Sequence, residues 1–110
     1  MEKVTADRFE WVIKEHPRPL LVEFFTEWSG SAFIVSEMLY ALEEQYGDRV
    51  FFTLVNCDEP GELCEAYGVQ KIPTILFFRA GEVVDQLVGT PSRREVEHVL
   101  ERMLAAEADR

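Results

Sequence analysis

Three short runs of nearly continuous apolar residues lie along the chain, and each is too brief for a helix. LLVEFF, VFFTLVN and TILFFR are typical of strands that are covered on both faces of a sheet. After the third run, Ala80 and Gly81 predict a turn and EVVDQLVG predicts a fourth strand, so this last pair is expected to form an antiparallel hairpin. The predicted strands cover residues 20–25, 50–56, 74–79 and 82–89.

Between the strands, apolar residues recur at the spacing of a helix. Thr5 is suited to cap the first helix, and Ser92 with Glu95 forms a capping box ahead of the last one. The predicted helices cover residues 6–15, 32–46, about 62–67, and the stretch that follows Ser92. Alternating strands and helices predict parallel pairing through helical crossovers, to which the hairpin adds an antiparallel part. The pattern therefore predicts an α/β protein with one mixed sheet and helices on both of its faces.

The composition is that of a single folded unit. The chain has 110 residues, of which 47% are hydrophobic, and this is enough to build one compact core. No linker, repeat or low-complexity segment interrupts the pattern. We therefore expect one domain over residues 1–110, with a charged tail at 107–110 that frays.

The charge of the chain excludes two classes of partner. Acidic residues outnumber basic ones by 21 to 11, which gives a formal net charge of -10. Phosphate backbones and anionic lipid surfaces repel such a chain, so neither nucleic acid nor a membrane is expected as a partner. No apolar run approaches the roughly 20 residues of a membrane-spanning helix, and the first residues do not resemble a signal peptide. We expect a cytoplasmic protein.

The chain has two cysteines, Cys57 and Cys64. They are too few for a fold held together by disulfides, and no histidine lies near them to complete a set of metal ligands. Reduced, buried and inert thiols are the expected state. The alternative is a regulatory disulfide between the two, which requires Cα atoms within roughly 7 Å of each other.

Several segments of the chain occur in a characteristic order. LLVEFFTEW leads into a Trp-x-Gly loop and a long helix, and VNCDE, YGVQKIPTILFFRAGE and LVG follow ahead of the last helix. In this order and at this spacing, the segments make the chain resemble the thioredoxin family from end to end. The resemblance implies the thioredoxin fold, in which parallel strands and a C-terminal antiparallel hairpin form a central mixed β-sheet flanked by helices on both faces.

The redox loop of that family is altered in this chain. The family pattern is W-C-G-P-C, and its two thiols exchange disulfides with protein substrates. The corresponding residues here are Trp28, Ser29, Gly30, Ser31 and Ala32. The first thiol must attack as a thiolate and the second must resolve the mixed disulfide, and neither serine nor alanine can replace them. We therefore expect no catalytic residue in this loop, and we expect its two serines to cap the second helix.

A hydroxyl and a carboxyl in this region need separate interpretation. Ser29 is not expected to act as a hydrolase nucleophile, because the family layout puts neither His16 nor His98 beside the loop. Glu23 matches the family's buried acid, which moves protons for the resolving thiol. With no such thiol to serve, Glu23 is expected to be a relic or to reach water or a lysine, and burial is expected to raise its pKa.

The docking surface of the family is retained in the sequence. Pro73 matches the family's cis-proline, which lies against the Trp-x-Gly loop and leaves the preceding backbone free to pair with an extended substrate. A tight turn into a central strand would explain the same proline without a binding role. Trp28 is typical of an interface anchor, and packing against the second helix is the alternative. The predicted binding residues are Trp28, Gly30, Ile72, Pro73 and Gly89.

The leading interpretation is a redox-inactive family member that is not an enzyme and binds a protein or peptide segment as an adaptor, an assembly factor or a chaperone. The alternative is a thiol-disulfide oxidoreductase, a protein disulfide reductase in cell redox homeostasis, that works through Cys57 and Cys64. A third interpretation, an altered version of an active enzyme, is disfavoured by Ser31, because a change that removes the thiols would leave the intervening proline in place. We predict no metal and no cofactor, and the sequence does not predict the oligomeric state.

Overall fold

The computed structural model of the chain describes residues 1–58 and 61–108, and this part forms five strands and four helices. The apolar runs of the sequence are strands, and the stretches with helical spacing are helices. The elements are β1 (Glu2–Lys3), α1 (Ala6–Glu15), β2 (Leu20–Phe25), α2 (Gly30–Tyr46), β3 (Phe51–Asn56), α3 (Glu62–Ala66), β4 (Thr74–Arg79), β5 (Glu82–Val88) and α4 (Arg93–Ala108).

The strands form one mixed sheet in the order β1-β3-β2-β4-β5. β3 is parallel to both of its neighbours, β1 and β2, whereas β4 is antiparallel to β2 and to β5. This is the thioredoxin fold that the sequence predicted. The two-residue strand β1 was not predicted, because two residues are too few to show a period.

Helices cover both faces of the sheet. One buried cluster contains apolar residues of α2 and α4, and a second contains residues of α1 together with Cys64 of α3. Successive side chains of a strand point to opposite faces. In β2, Leu21 accordingly packs in the α2 and α4 cluster, whereas Val22 and Phe24 pack in the cluster under α1 and α3. None of the helices in the described part of the chain combines the length and the apolar character that crossing a membrane requires.

Two helix starts differ from the prediction. Ser29 is the N-cap of α2, where its Oγ accepts a hydrogen bond from the Ala32 backbone N–H over 3.0 Å. Ser31 lies inside the helix and is not a cap, so that part of the prediction is wrong. Thr5 occupies the N-cap position of α1, but its side chain accepts no capping hydrogen bond, and its hydroxyl donates to Asp7 Oδ1 over 2.5 Å.

The start of the last helix has the predicted capping box. The Glu95 N–H donates to Ser92 Oγ over 3.1 Å, and the Ser92 N–H donates to Glu95 Oε1 over 3.0 Å. At its other end α4 continues through residues 107 and 108, which were expected to fray. Residues 109 and 110 of the predicted tail lie outside the described residues.

Candidate redox site

Cys57 and Cys64 form a disulfide. Cys57 directly follows β3, Cys64 lies on α3, and their Cα atoms are 5.8 Å apart. This separation lies within the roughly 7 Å that a disulfide can bridge. The expectation of two reduced thiols is therefore wrong, because the chain turns back after β3 and brings α3 against the end of the strand.

Gly61 makes the return of the chain possible. Its φ is +69°, in the left-handed region that residues with a Cβ rarely adopt. A Cβ at this position would also lie 3.3 Å from the carbonyl oxygen of Cys57. Glycine is thus favoured between the two cysteines by the backbone conformation, and a Cβ there would make a tight contact with the Cys57 carbonyl.

The disulfide borders a surface pocket of about 470 Å³. Cys64 is 7% exposed and Cys57 is partly exposed, so Cys57 is the more accessible of the two. Ile72 lies on the pocket wall, and its peptide bond to Pro73 is cis. The described residues that line the pocket are Thr26, Cys57, Asp58, Gly61, Cys64, Glu65, Val69, Gln70 and Ile72.

Hydrogen bonds join the segment that follows β3 to the segment that follows β2. The Cys57 N–H donates to the Phe25 carbonyl over 2.8 Å, which continues the pairing of the two parallel strands. One residue on, Asp58 Oδ2 accepts from the Glu27 N–H over 3.0 Å. The Asp58 N–H in turn donates to Asn56 Oδ1 over 2.7 Å. A backbone hydrogen bond and the Asp58 side chain therefore hold the disulfide segment against the end of β2 and the start of the altered redox loop.

The altered loop itself presents apolar surface and no sulfur. The Ser29 hydroxyl oxygen caps α2, and Ala32 is buried. Trp28 is 90% exposed, so its side chain does not pack against the start of α2. Phe33 and Ile34, in the first turns of that helix, are also exposed. This surface is available for contact with another molecule, and it contains no sulfur.

The structure brings one of the predicted binding residues, Ile72, to the disulfide. Ile72 shares the pocket with both cysteines, and the Gly89 N–H donates to the Pro73 carbonyl over 2.9 Å. Trp28 and Gly30 are not among the described residues that line this pocket. A single groove that includes all five residues therefore stays a prediction.

The buried acid lies on the other face of the sheet from the disulfide. Glu23 is fully buried, and its Oε1 accepts from Ser36 Oγ of α2 over 2.6 Å. Its Oε2 has no hydrogen-bond partner among the described residues. Desolvation raises the pKa of this carboxyl from 4.5 to about 7, although the hydrogen bond from Ser36 opposes the shift. Because Cys64 packs in the cluster on the opposite face, Glu23 is not placed beside the cysteines.

Known proteins resemble this chain over almost its whole length. The family model described as Thioredoxin matches residues 1–102. The chain is 32% identical over 101 residues to Thioredoxin 1 of Synechococcus elongatus, a match that covers 92% of this chain and 94% of the relative. It is 31% identical over 101 residues to a thioredoxin of Acidithiobacillus ferridurans, with the same coverage, and 29% identical over 102 residues to Thioredoxin 1 of Nostoc sp., with 93% and 95% covered.

These findings overturn the leading interpretation from the sequence. A redox-inactive adaptor was expected because the familiar motif lacks both thiols. The chain has a disulfide elsewhere, between Cys57 and Cys64, and its relatives are thioredoxins. The residues that sequence reasoning overlooked are Asp58 and Glu65 on the pocket wall, and the signal was present, since each directly follows one of the cysteines.

Proposed function

Because this chain belongs to the thioredoxin family, we propose that it is a thiol-disulfide oxidoreductase whose redox centre is the Cys57–Cys64 pair. One observation supports the proposal above all. The disulfide borders a surface pocket whose wall includes Ile72, the residue before the cis-proline. A disulfide with such access can meet a sulfur of another protein, which a fully buried one cannot.

The exchange takes place in two balanced steps. In the reduced protein, the Cys57 thiolate attacks one sulfur of a substrate disulfide, and the other substrate sulfur leaves as a thiolate that takes a proton from water. The Cys64 sulfur, as a thiolate, then attacks Cys57 Sγ and releases the second substrate sulfur. Two electrons have passed to the substrate, which is now a dithiol, and the protein again has its disulfide. A dithiol reductant returns the protein to the reduced state.

The difference in exposure between the two cysteines indicates the order in which they react. Cys57 is partly exposed and lies at the end of β3, where a substrate sulfur can approach it. Cys64 is 7% exposed and packs in the cluster under α1 and α3. Attack on a substrate requires access, whereas resolution requires only proximity to the first cysteine. Cys57 is therefore the attacking residue and Cys64 the resolving one.

A protein segment is the substrate that suits this site. The pocket is open, and the cis peptide bond at Pro73 follows a residue of its wall. An extended segment can lie along such a surface with one sulfur over Cys57. The exposed Trp28 offers a further apolar contact on the neighbouring loop. Binding in this groove is part of the proposal.

The cytoplasmic location expected from the sequence agrees with this role. Structural disulfides are rare in the cytosol of most organisms, where thiols are kept reduced. A pair that closes there is usually transient and is either catalytic or redox-sensing. In that compartment, a disulfide between these cysteines is better explained by exchange than by reinforcement of the fold.

Reduction of insulin by dithiothreitol tests the proposal. We expect the wild-type protein to accelerate insulin precipitation, and we expect Cys57→Ser to remove the acceleration. Glu44→Gln is the matched control, because Glu44 is exposed and lies about 21 Å along α2 from the helix start at Gly30. Precipitation at the rate of dithiothreitol alone, with folded wild-type protein present, would rule out the oxidoreductase.

A further inference from the structure

An acidic residue follows each cysteine of the disulfide pocket. Asp58 directly follows Cys57, Glu65 directly follows Cys64, and both residues line the pocket. The described residues that line the pocket include no lysine, arginine or histidine. A molecule that brings its sulfur to this disulfide therefore approaches two negative charges and no positive one in that part of the wall.

The carboxylate of Asp58 is held in place. Its Oδ2 accepts from the Glu27 N–H over 3.0 Å, while its own N–H donates to Asn56 Oδ1 over 2.7 Å. The first bond restrains the side chain of Asp58, and the second restrains the backbone that carries it. Glu65 is less constrained, but it belongs to α3 and is exposed beside the buried Cys64. A fixed charge discriminates between substrates better than a mobile one does.

We propose that Asp58 and Glu65 are specificity residues that select protein segments with a positive charge next to the reacting sulfur. The inference rests on the proposed exchange at Cys57 and Cys64, whose steps it leaves unchanged. It adds that a lysine or arginine close to the substrate cysteine favours the encounter. An acidic residue at the same place opposes it, because like charges repel.

The size of the effect follows from the distances of such an encounter. In water, one exposed carboxylate raises the local concentration of a positively charged group about 6 Å away about threefold. Two carboxylates therefore raise that concentration about tenfold. A negative charge is disfavoured by a similar factor. The preference falls as salt is added, since the screening length is about 10 Å at 0.1 M.

Small disulfides of equal length but opposite charge measure this preference. Cystamine has an ammonium group at each end, dithiodipropionate has a carboxylate at each end, and hydroxyethyl disulfide is neutral. Each is mixed with the reduced protein at low salt, and the rate of oxidation of the Cys57–Cys64 pair is followed by mass spectrometry. Rates with 2-mercaptoethanol, a neutral thiol, correct for the intrinsic reactivity of the three reagents.

We expect cystamine to react at least about tenfold faster than dithiodipropionate after this correction, and we expect the ratio to fall with added salt. Asp58→Asn combined with Glu65→Gln should lower the ratio severalfold, toward the value that the remaining charge of the protein alone produces. The asparagine keeps a side-chain oxygen for the Glu27 N–H, so the turn is preserved. Glu44→Gln, far along α2, should leave the ratio as it is in the wild type.

The outcomes separate this inference from the function on which it rests. If hydroxyethyl disulfide oxidises the pair but the corrected charge ratio is close to one in the wild type, the specificity proposal is wrong and the exchange stands. A ratio that the double variant lowers no more than Glu44→Gln does also contradicts the roles of Asp58 and Glu65. If none of the three reagents oxidises the reduced, folded protein, both proposals fail together.

Discussion

Replacing Glu23 by glutamine should remove most of one pH-dependent contribution to stability. The carboxyl is fully buried and has one hydrogen bond, from Ser36 over 2.6 Å. Its pKa is raised from 4.5 to about 7, chiefly by desolvation. Glutamine has nearly the same shape and cannot ionise, so the variant retains the packing and loses the titration.

The sign and the magnitude of this pH dependence follow from the shift in the pKa of Glu23. The folded protein binds the Glu23 proton more tightly than the unfolded chain does, so its contribution to stability is fully present below the unfolded pKa of 4.5 and is lost as the pH rises through about 7. At 1.36 kcal/mol for each pKa unit, the full shift corresponds to about 3 kcal/mol. Between about pH 5 and about pH 8, the loss amounts to about 2.5 kcal/mol.

Urea denaturation at those two pH values, with the disulfide intact, measures the effect. The decrease in the free energy of unfolding from the lower to the higher pH should be about 2.5 kcal/mol larger for the wild type than for Glu23→Gln. Contributions that do not depend on Glu23 cancel in this comparison. Equal pH dependence in the two proteins would refute the reasoning, as would a carboxyl-carbon NMR midpoint for Glu23 near 4.5 instead of about 7.

Three further predictions, with one control substitution, test the local structure by urea denaturation. Ser29→Ala removes the N-cap of α2 and should lower the free energy of unfolding by about 1 kcal/mol; no loss would show that the Ala32 N–H has another acceptor. Gly61→Ala should cost about 1–2 kcal/mol, because a residue with a Cβ is strained in the left-handed conformation, whereas Gly30→Ala has open space and should cost nothing. Tyr46→Phe removes a hydrogen bond of 2.6 Å to the Glu101 carboxylate and should cost about 1.5 kcal/mol; a variant as stable as the wild type would mean that water replaces it.

The fold could be predicted because its signals are local. The apolar runs that form β2, β3 and β4 match the strands to within one residue, and the capping box of Ser92 and Glu95 marks the last helix. These features depend on residues that are near each other in the chain. β1 was missed for the same reason, since Glu2 and Lys3 become a strand only by pairing with β3, about fifty residues later.

The redox site depends on geometry that the sequence does not display. Whether Cys57 and Cys64 pair is decided by the left-handed turn at Gly61 and by the packing of Cys64 under α1. Neither can be read from cysteine spacing alone, so inert thiols were the reasonable expectation. Strand alternation places Glu23 on the opposite face of the sheet from the cysteines. This can be deduced only when it is known which helices cover each face of the sheet.

A mixed disulfide at Cys57 tests the central claim most directly. Cys64→Ser removes the resolving sulfur, so after reduction and removal of the reductant, the variant should form a stable covalent adduct with an added disulfide-containing protein. Mass spectrometry without reductant should place the link at Cys57, dithiothreitol should release it, and the variant that lacks both cysteines should form none. If the folded Cys64→Ser variant forms no adduct, Cys57 does not attack protein disulfides and the proposed oxidoreductase is wrong.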